Sequence, residues 1–447
     1  MSAVAEVLAR SGFTVTGSDE KLSAVTARLS SLGISVHEGH AADHVGGADV
    51  VVRSSAVKAT NVEIVEARRR GIPVVLRGEM LAEIVRPHLG IAVSGAHGKT
   101  TTAAMIAVML ERAGLDPTAL IGGDVAAFGS NARRGAGEHV VVEADESDRS
   151  FLRLSPAFAV ITNLDREHME SYDDFDTLTR AFVDFANAVP FYGAAIVCSD
   201  DPSLRRARAA MTARVVTCGL DAEFADLSAK DVRLDAASSA LTVVARDAGG
   251  GWRRLGELRL GVPGRHNVQN ALAALAVGLE VGLPFEAAAS GLAAFGGTAR
   301  RFERRGEVKG ISVVDDYGHH PTEIAAVLET ARRAAPGRVL VVFQPHRYSR
   351  TARLRDEFAA ALAAADEIVL TDIYAAGEDA VPDVTIEWLA EAVERAAPGR
   401  VRVVKAVAEV PGAVASLVRA GDLVITLGAG SVGECAPRIL EEVARCR

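Results

Sequence analysis

Short runs of apolar residues alternate along most of this chain with longer segments whose apolar positions recur every three or four residues. The first pattern is that of strands buried on both faces, and the second that of amphipathic helices. Read this way, a first block predicts helix 2–10, strand 13–16, helix 21–32, strand 49–54, helix 61–70 and strand 73–76. A second begins at Ile91, has strands at 91–93, 139–142, 157–162 and 194–198, and runs to a helix at 267–281. A third opens in the linker around Thr298 to Glu303, with strands near 311–315, 338–343, 367–371, 401–403 and 422–427 between alanine-rich helices. Such alternation specifies an α/β protein with mostly parallel sheets, and 447 residues exceed what one core usually serves. The expected domains are 1–89, 90–297 and 298–447.

The richest local pattern is Ile91-Ala-Val-Ser-Gly-Ala-His-Gly-Lys-Thr-Thr-Thr102, a strand, a glycine-framed turn and a helix start. Backbone N–H groups at a helix N-terminus face anions, Lys99 adds a point charge, and Thr100 or Thr101 offers an oxygen to Mg²⁺. Only Ala96 and His97 separate Gly95 from Gly98, so this is a compact variant of the usual phosphate loop. The acidic run Val140 to Asp148 ends another strand, where open parallel sheets place their chemistry, and it offers Glu143 to a cation. A further strand runs into Asn163-Leu-Asp-Arg-Glu-His168, bringing His168 to the same edge.

Three more segments carry polar chemistry directly beside apolar elements. Gly264-Arg-His-Asn-Val-Gln-Asn270 precedes a helix that Asn267 is able to cap, and His266 and Asn270 suit a base or ribose edge. Val314-Asp-Asp-Tyr-Gly-His-His-Pro-Thr322 and Phe343-Gln-Pro-His-Arg-Tyr-Ser-Arg350 follow strands, and the guanidinium forks of Arg347 and Arg350 match a planar carboxylate. The closing Leu427-Gly-Ala-Gly-Ser-Val-Gly433 has the form of another strand-to-glycine turn.

Charge and cysteine usage narrow the partners. A net charge of -9 with no long Lys/Arg block gives no attraction to a nucleic-acid backbone or an anionic membrane. The four cysteines lack paired spacing, so neither a disulfide scaffold nor a zinc site is expected. With no leader pattern and no long uncharged apolar run, a cytoplasmic protein is expected, as a monomer or a weak homodimer.

Taken in order, the motifs at 95–101, 143–148, 162–168, 264–270, 315–322 and 344–350 resemble the Mur ligase family across essentially the whole chain. The last two resemble most its alanine-adding branch and that branch's peptide-recycling relative. The resemblance implies three domains: a Rossmann-like N-terminal domain, a central P-loop ATPase-like domain and a Rossmann-like C-terminal domain. It implies ATP-driven joining of L-alanine to the lactyl carboxylate of UDP-N-acetylmuramate through an acyl phosphate, in peptidoglycan precursor synthesis. Thr100, Glu143 and His168 would then hold Mg²⁺, and Gly95, His97, Gly98, Lys99, Thr100, Thr101, His266 and Asn270 would bind ATP. Tyr317 and His319 would orient the acyl-phosphate and amino-acid region, Arg347 and Arg350 would receive the alanine carboxylate, and Asp316 would close this group from its edge. Ser18, Asp19, Ser54, Ser55 and Arg77 match the uridine-nucleotide segments.

Family members start with a strand and a glycine loop ahead of the position matching Met1, and this sequence opens on a helix. A shortened or misassigned start is expected, with an incomplete diphosphate site. A peptide ligase of cell-wall recycling and a noncatalytic nucleotide-binding remnant stand as the alternatives.

Overall fold

The computed structural model describes residues 1–446. They form two compact units, one of residues 1–232, 241–260 and 269–296 and the other of residues 233–240, 261–268 and those from 297 onward.

The first unit is built on a ten-stranded sheet. At its centre Leu89–Ser94 lies between His139–Glu143 and Phe158–Ile161, parallel to both. Thr118–Val125 continues the parallel ladder outward from His139–Glu143, and Ser130–Arg133 closes that edge as an antiparallel partner. On the other side Ala194–Cys198, Val215–Gly219, Leu227–Leu234, Ser239–Arg246 and Trp252–Leu260 follow in order. The helix Lys99–Arg112 is buried from Thr100 to Leu110, which explains why its sequence shows no polar stripe. Its neighbour Phe285–Ala293 approaches so closely that a Cβ on Gly291 would lie 2.8 Å from the Met109 Cα.

The first block departs from its expected form. Its four strands pair as two separate parallel ribbons, Thr16–Asp19 with Ser35–Glu38 and Val51–Arg53 with Val74–Leu76, rather than as one sheet. The strand expected at 13–16 starts at Thr16 because Phe13 still belongs to the end of helix Ser2–Arg10. Gly12 takes φ 92°, its N–H donates to Ala9 O and the Phe13 N–H donates to Leu8 O, the paired bonds of a Schellman ending. That helix buries Val4 and Val7 in the same core as Leu81, Val85 and Val140. Its buried Glu6 meets the Arg28 guanidinium, which also donates to Ser130 Oγ at 2.6 Å and Asn131 Oδ1 at 3.1 Å.

The second unit carries a six-stranded sheet in the order Glu303–Val308, Ile311–Asp316, Leu423–Leu427, Val339–Phe343, Glu367–Leu370, Val401–Val403. Every expected strand of the third block is present, and all run parallel. The additional Glu303–Val308 is antiparallel at the edge.

Candidate active site

The phosphate loop is held by the strand beside it. Gly95 and Gly98 take φ 131° and 81°, left-handed values that a glycine adopts without strain. A Cβ on Gly98 would lie 2.6 Å from Asn270 Oδ1, and one on Gly95 would collide with Thr162 Oγ1, so both approaches require glycine. Asn163 clamps the turn in two directions, its Oδ1 accepting from the His97 N–H at 2.8 Å and its Nδ2 donating to His97 O at 3.0 Å. The His97 ring lies 2.8 Å from Asp165 Oδ2, so the histidine inside the loop is fixed at both backbone and ring.

Lys99 folds back over its own loop. Its Nζ donates to Gly95 O at 2.5 Å, Ala96 O at 3.1 Å and Glu146 Oε1 at 2.8 Å, one acceptor for each ammonium proton. Burial opposes the charge, but Glu146, with Glu143 and Glu167 behind it, holds the ammonium above its usual value. Burial in turn pushes the Glu146 carboxyl up, with Lys99 working against it. Thr101 is buried in the first turn of the same helix.

Glu143 stands one strand away, paired in register with Val93. Its Oε2 accepts from Thr100 Oγ1 at 2.8 Å and from the Gly122 N–H at 2.8 Å. The set expected to hold a metal is therefore brought together in part. His168, on a left-handed backbone of φ 53°, places Nε2 at 3.7 Å from Glu146 Oε1 and 3.9 Å from Glu167 Oε2. Glu146, Glu167 and His168 offer ligand atoms that all lie within 4.8 Å of one another. The sequence pattern does not single out Glu146, although it stands in the acidic run, because strand-end position favours Glu143. Its burial is a product of the turn after the strand, where Tyr172 Oη donates to Glu146 O at 2.6 Å. Thr100 and Glu143 provide hard oxygens and the second cluster adds two carboxylates, a donor set that fits Mg²⁺.

The uridine-nucleotide candidates divide. Ser18 Oγ donates to Glu63 Oε2 at 2.7 Å and lies 3.0 Å from His40 Nδ1, while His44 Nδ1 reaches the other Glu63 oxygen at 2.9 Å. Asp19 is exposed and accepts from the Lys21 N–H at 3.3 Å. Ser54 O accepts the Val57 N–H in a turn that contains the exposed Ser55. Arg77, the remaining candidate, pairs with Asp145 of the acidic run at 3.1 Å.

In the second unit the two histidine-rich segments meet. The rings of Tyr317 and His319 are edge to face at 5.5 Å, His319 and His346 lie 5.6 Å apart, and His346 stacks on Tyr374 at 5.6 Å. Arg347 is held at φ 71° by its N–H bond to Tyr374 O at 2.8 Å, a strained backbone of the kind that gathers at functional sites. Buried Arg350 lies 3.4 Å from His346 Nδ1. Burial, with His319, Arg350 and Arg347 as neighbours, drives His346 down to about 3, so the imidazole is neutral. Asp316 accepts at both oxygens, from the Gly318 and Phe302 N–H groups at 2.7 Å each. His266 is lowered to about 4 by burial and by Arg301.

The glycine turn after Leu427 holds a side chain. Arg300 donates to Gly428 O at 2.6 Å, Gly430 O at 3.4 Å and Asp315 Oδ2 at 2.9 Å, with its guanidinium over the Tyr317 ring. The carbonyls of this turn therefore serve a guanidinium.

A strand-loop-helix phosphate cradle with a carboxylate on the adjoining strand, in a chain that carries a second parallel α/β sheet, defines a nucleotide-using α/β enzyme. Models of the Mur ligase family catalytic domain, the Mur ligase middle domain and the Mur ligase glutamate ligase domain match residues 1–88, 93–278 and 300–430. The UDP-N-acetylmuramate–L-alanine ligase of Anaeromyxobacter dehalogenans is 49% identical over 445 residues, covering 100% of this chain and 96% of that protein. The ligase of the same name from Solidesulfovibrio magneticus is 48% identical over 443 residues, covering 99% and 95%. Among solved structures, the UDP-N-acetylmuramate-alanine ligase of Thermotoga maritima matches with a TM-score of 0.85 at 29% identity, covering 100% of this chain and 97% of that one. A murein peptide ligase from Psychrobacter arcticus matches at 0.73 and 25%, covering 100% and 97%. The chain belongs to the Mur ligase family.

Proposed function

We propose that the chain joins L-alanine to UDP-N-acetylmuramate at the expense of ATP, giving UDP-N-acetylmuramoyl-L-alanine, ADP and phosphate, in the cytoplasm. The observation that carries this reading is the Lys99 ammonium at the mouth of a glycine loop whose next residue, Thr100, is hydrogen-bonded to Glu143 at 2.8 Å. Relatives of the same name that match nearly end to end support the choice of substrates.

In this reading the lactyl carboxylate attacks the γ-phosphorus, ADP leaves and an acyl phosphate remains. The amine of L-alanine then attacks the acyl carbon, and the tetrahedral intermediate expels phosphate. Both steps gather negative charge, and Lys99 would neutralise it by exchanging its Gly95, Ala96 and Glu146 acceptors for phosphoryl oxygens. Thr100 and Glu143 would hold Mg²⁺, with His168 assisting from the cluster it forms with Glu146 and Glu167; when bound, the ion supplies Lewis-acid stabilisation of phosphoryl oxygens. Gly95, His97, Gly98 and Thr101 complete the cradle, and His266 and Asn270 are assigned to the adenosine end. Tyr317 and His319 orient the amino-acid region, with Asp316 fixing the backbone beneath them, and Arg347 and Arg350 bind the alanine carboxylate. Ser18, Asp19, Ser54, Ser55 and Arg77 are assigned to the uridine nucleotide in a domain of residues 1–89, which domains of residues 90–297 and 298–447 follow.

The test is product identification by mass after incubation with ATP, Mg²⁺ and UDP-N-acetylmuramate in the presence of L-alanine, L-serine, glycine and a tripeptide in competition. The L-alanine adduct with one ADP released per bond is expected. Preferential tripeptide addition, or no ADP release, would overturn the assignment.

A further inference from the structure

The strand Thr118–Val125 pairs with His139–Glu143 through Thr118↔Val140, Ala119↔Val141 and Leu120↔Val142. Beyond Leu120 the Gly122 N–H leaves the main-chain ladder and donates to the Glu143 side chain, at 2.8 Å from Oε2. Thr100 Oγ1 donates to the same oxygen at 2.8 Å. Two donors converging on Oε2 set the carboxylate plane and leave Oε1 as the oxygen offered to a cation. The approach depends on glycine, because a Cβ at position 122 would stand 2.5 Å from Oε2 and 2.9 Å from Cδ and Oε1. The atoms in the way belong to the tip of a flexible side chain, so an added methyl group would displace the carboxylate and leave the strand where it is. The hairpin is itself anchored, since Ser130 and Asn131 on its other strand receive the Arg28 guanidinium.

We propose that Gly122 is a positioning residue for the cation-binding carboxylate Glu143, its N–H and its missing side chain together fixing the orientation in which Glu143 meets the metal. This rests on Glu143 being a metal ligand, as assigned above. Outer partners of metal ligands act on metal affinity, typically by about 10- to 100-fold.

The test uses the full chain with Gly122→Ala, Glu143→Asp and the double variant. Mn²⁺ binding in the presence of a non-hydrolysable ATP analogue is read by electron paramagnetic resonance, alongside the Mg²⁺ dependence of turnover and the thermal midpoint. Gly122→Ala is expected to weaken Mn²⁺ binding and raise the Mg²⁺ half-saturation by about tenfold or more, with kcat largely regained at saturating Mg²⁺ and the KM for L-alanine within about twofold. Glu143→Asp withdraws the carboxylate by one methylene, so adding Gly122→Ala to it should cost no further metal affinity. Unchanged Mn²⁺ binding in Gly122→Ala overturns the proposal, as does a fall in kcat that saturating Mg²⁺ does not restore. Should Gly122→Ala fail to fold while the double variant folds, the collision with Glu143 is confirmed; failure of both assigns Gly122 a purely structural role. The Mn²⁺ measurement stands whatever product the enzyme forms, so failure of the substrate assignment leaves it readable.

Discussion

Lys99 and Glu146 form an ion pair inside the phosphate loop, Nζ to Oε1 at 2.8 Å, with side chains only 15% and 3% exposed. Removing one partner of such a pair leaves a charge without solvent or counter-ion, at a cost of about 3–5 kcal/mol. Lys99→Met is therefore expected to abolish acyl-phosphate formation and also to lower stability. Adding Glu146→Gln should restore much of that stability without restoring turnover. Denaturant unfolding and ADP release measured on the two variants separate these effects. A double variant no more stable than Lys99→Met would mean that the pair is not what Lys99 contributes to the fold.

Glu143 is hydrogen-bonded to Thr100 and Gly122, whereas His168 faces the carboxylates of Glu146 and Glu167 at 3.7 and 3.9 Å. Residues without shared partners have additive effects. Glu143→Gln should raise the Mg²⁺ half-saturation by about tenfold or more and His168→Ala by less, and the double variant should show the product of the two factors. A double variant no worse than Glu143→Gln alone would put both side chains on one ion.

The parallel strands carrying the site were legible because burial on both faces makes them continuous apolar runs, as in Val339–Phe343 and Ala194–Cys198. Outer strands such as Leu227–Leu234 mix apolar with exposed polar positions, Lys230 and Asp231 among them, and do not stand out from loops. Ser18 and Lys99 could be named from their motifs, whereas the Ser18 contacts with His40 and Glu63 join positions 22 and 45 residues apart that no local pattern connects. Gly122 carries no local signal for the same reason, since its function lies in the side chain it admits from a neighbouring strand.

Arg347 is held in a strained backbone next to Tyr374, and Arg350 is buried beside His346, so the two guanidiniums differ in what a substitution removes. Arg347→Lys keeps the charge and loses the fork, which should raise the KM for L-alanine by about tenfold or more with acyl-phosphate formation less affected. Arg350→Lys should show a loss of stability as well, because the buried guanidinium also fills space. Equal weakening of ATP binding, with no change in L-alanine dependence, would contradict the carboxylate assignment.

Asp316 is 4% exposed, and burial raises its carboxyl from the usual 3.8 to about 6 against the opposing pull of Arg301 and the Gly318 and Phe302 amides. Below about pH 4 the folded and unfolded chains both carry the proton, and the full contribution of the neutral group is present. As pH rises, the unfolded carboxyl ionises first while the folded one keeps its proton until about pH 6, so the unfolded state binds fewer protons and stability falls across this window. A shift of this size corresponds to a loss of about 3 kcal/mol, complete above pH 6. Asp316→Asn cannot ionise, so its stability relative to wild type should improve by about that amount between pH 4 and 6 and then stay level, whatever the absolute cost of facing an amide group to the Phe302 N–H. Urea unfolding of both proteins at half-unit pH steps measures the difference directly. A difference that moves the other way across the window would mean that the two amide donors outweigh burial and that Asp316 is ionised in the folded protein throughout.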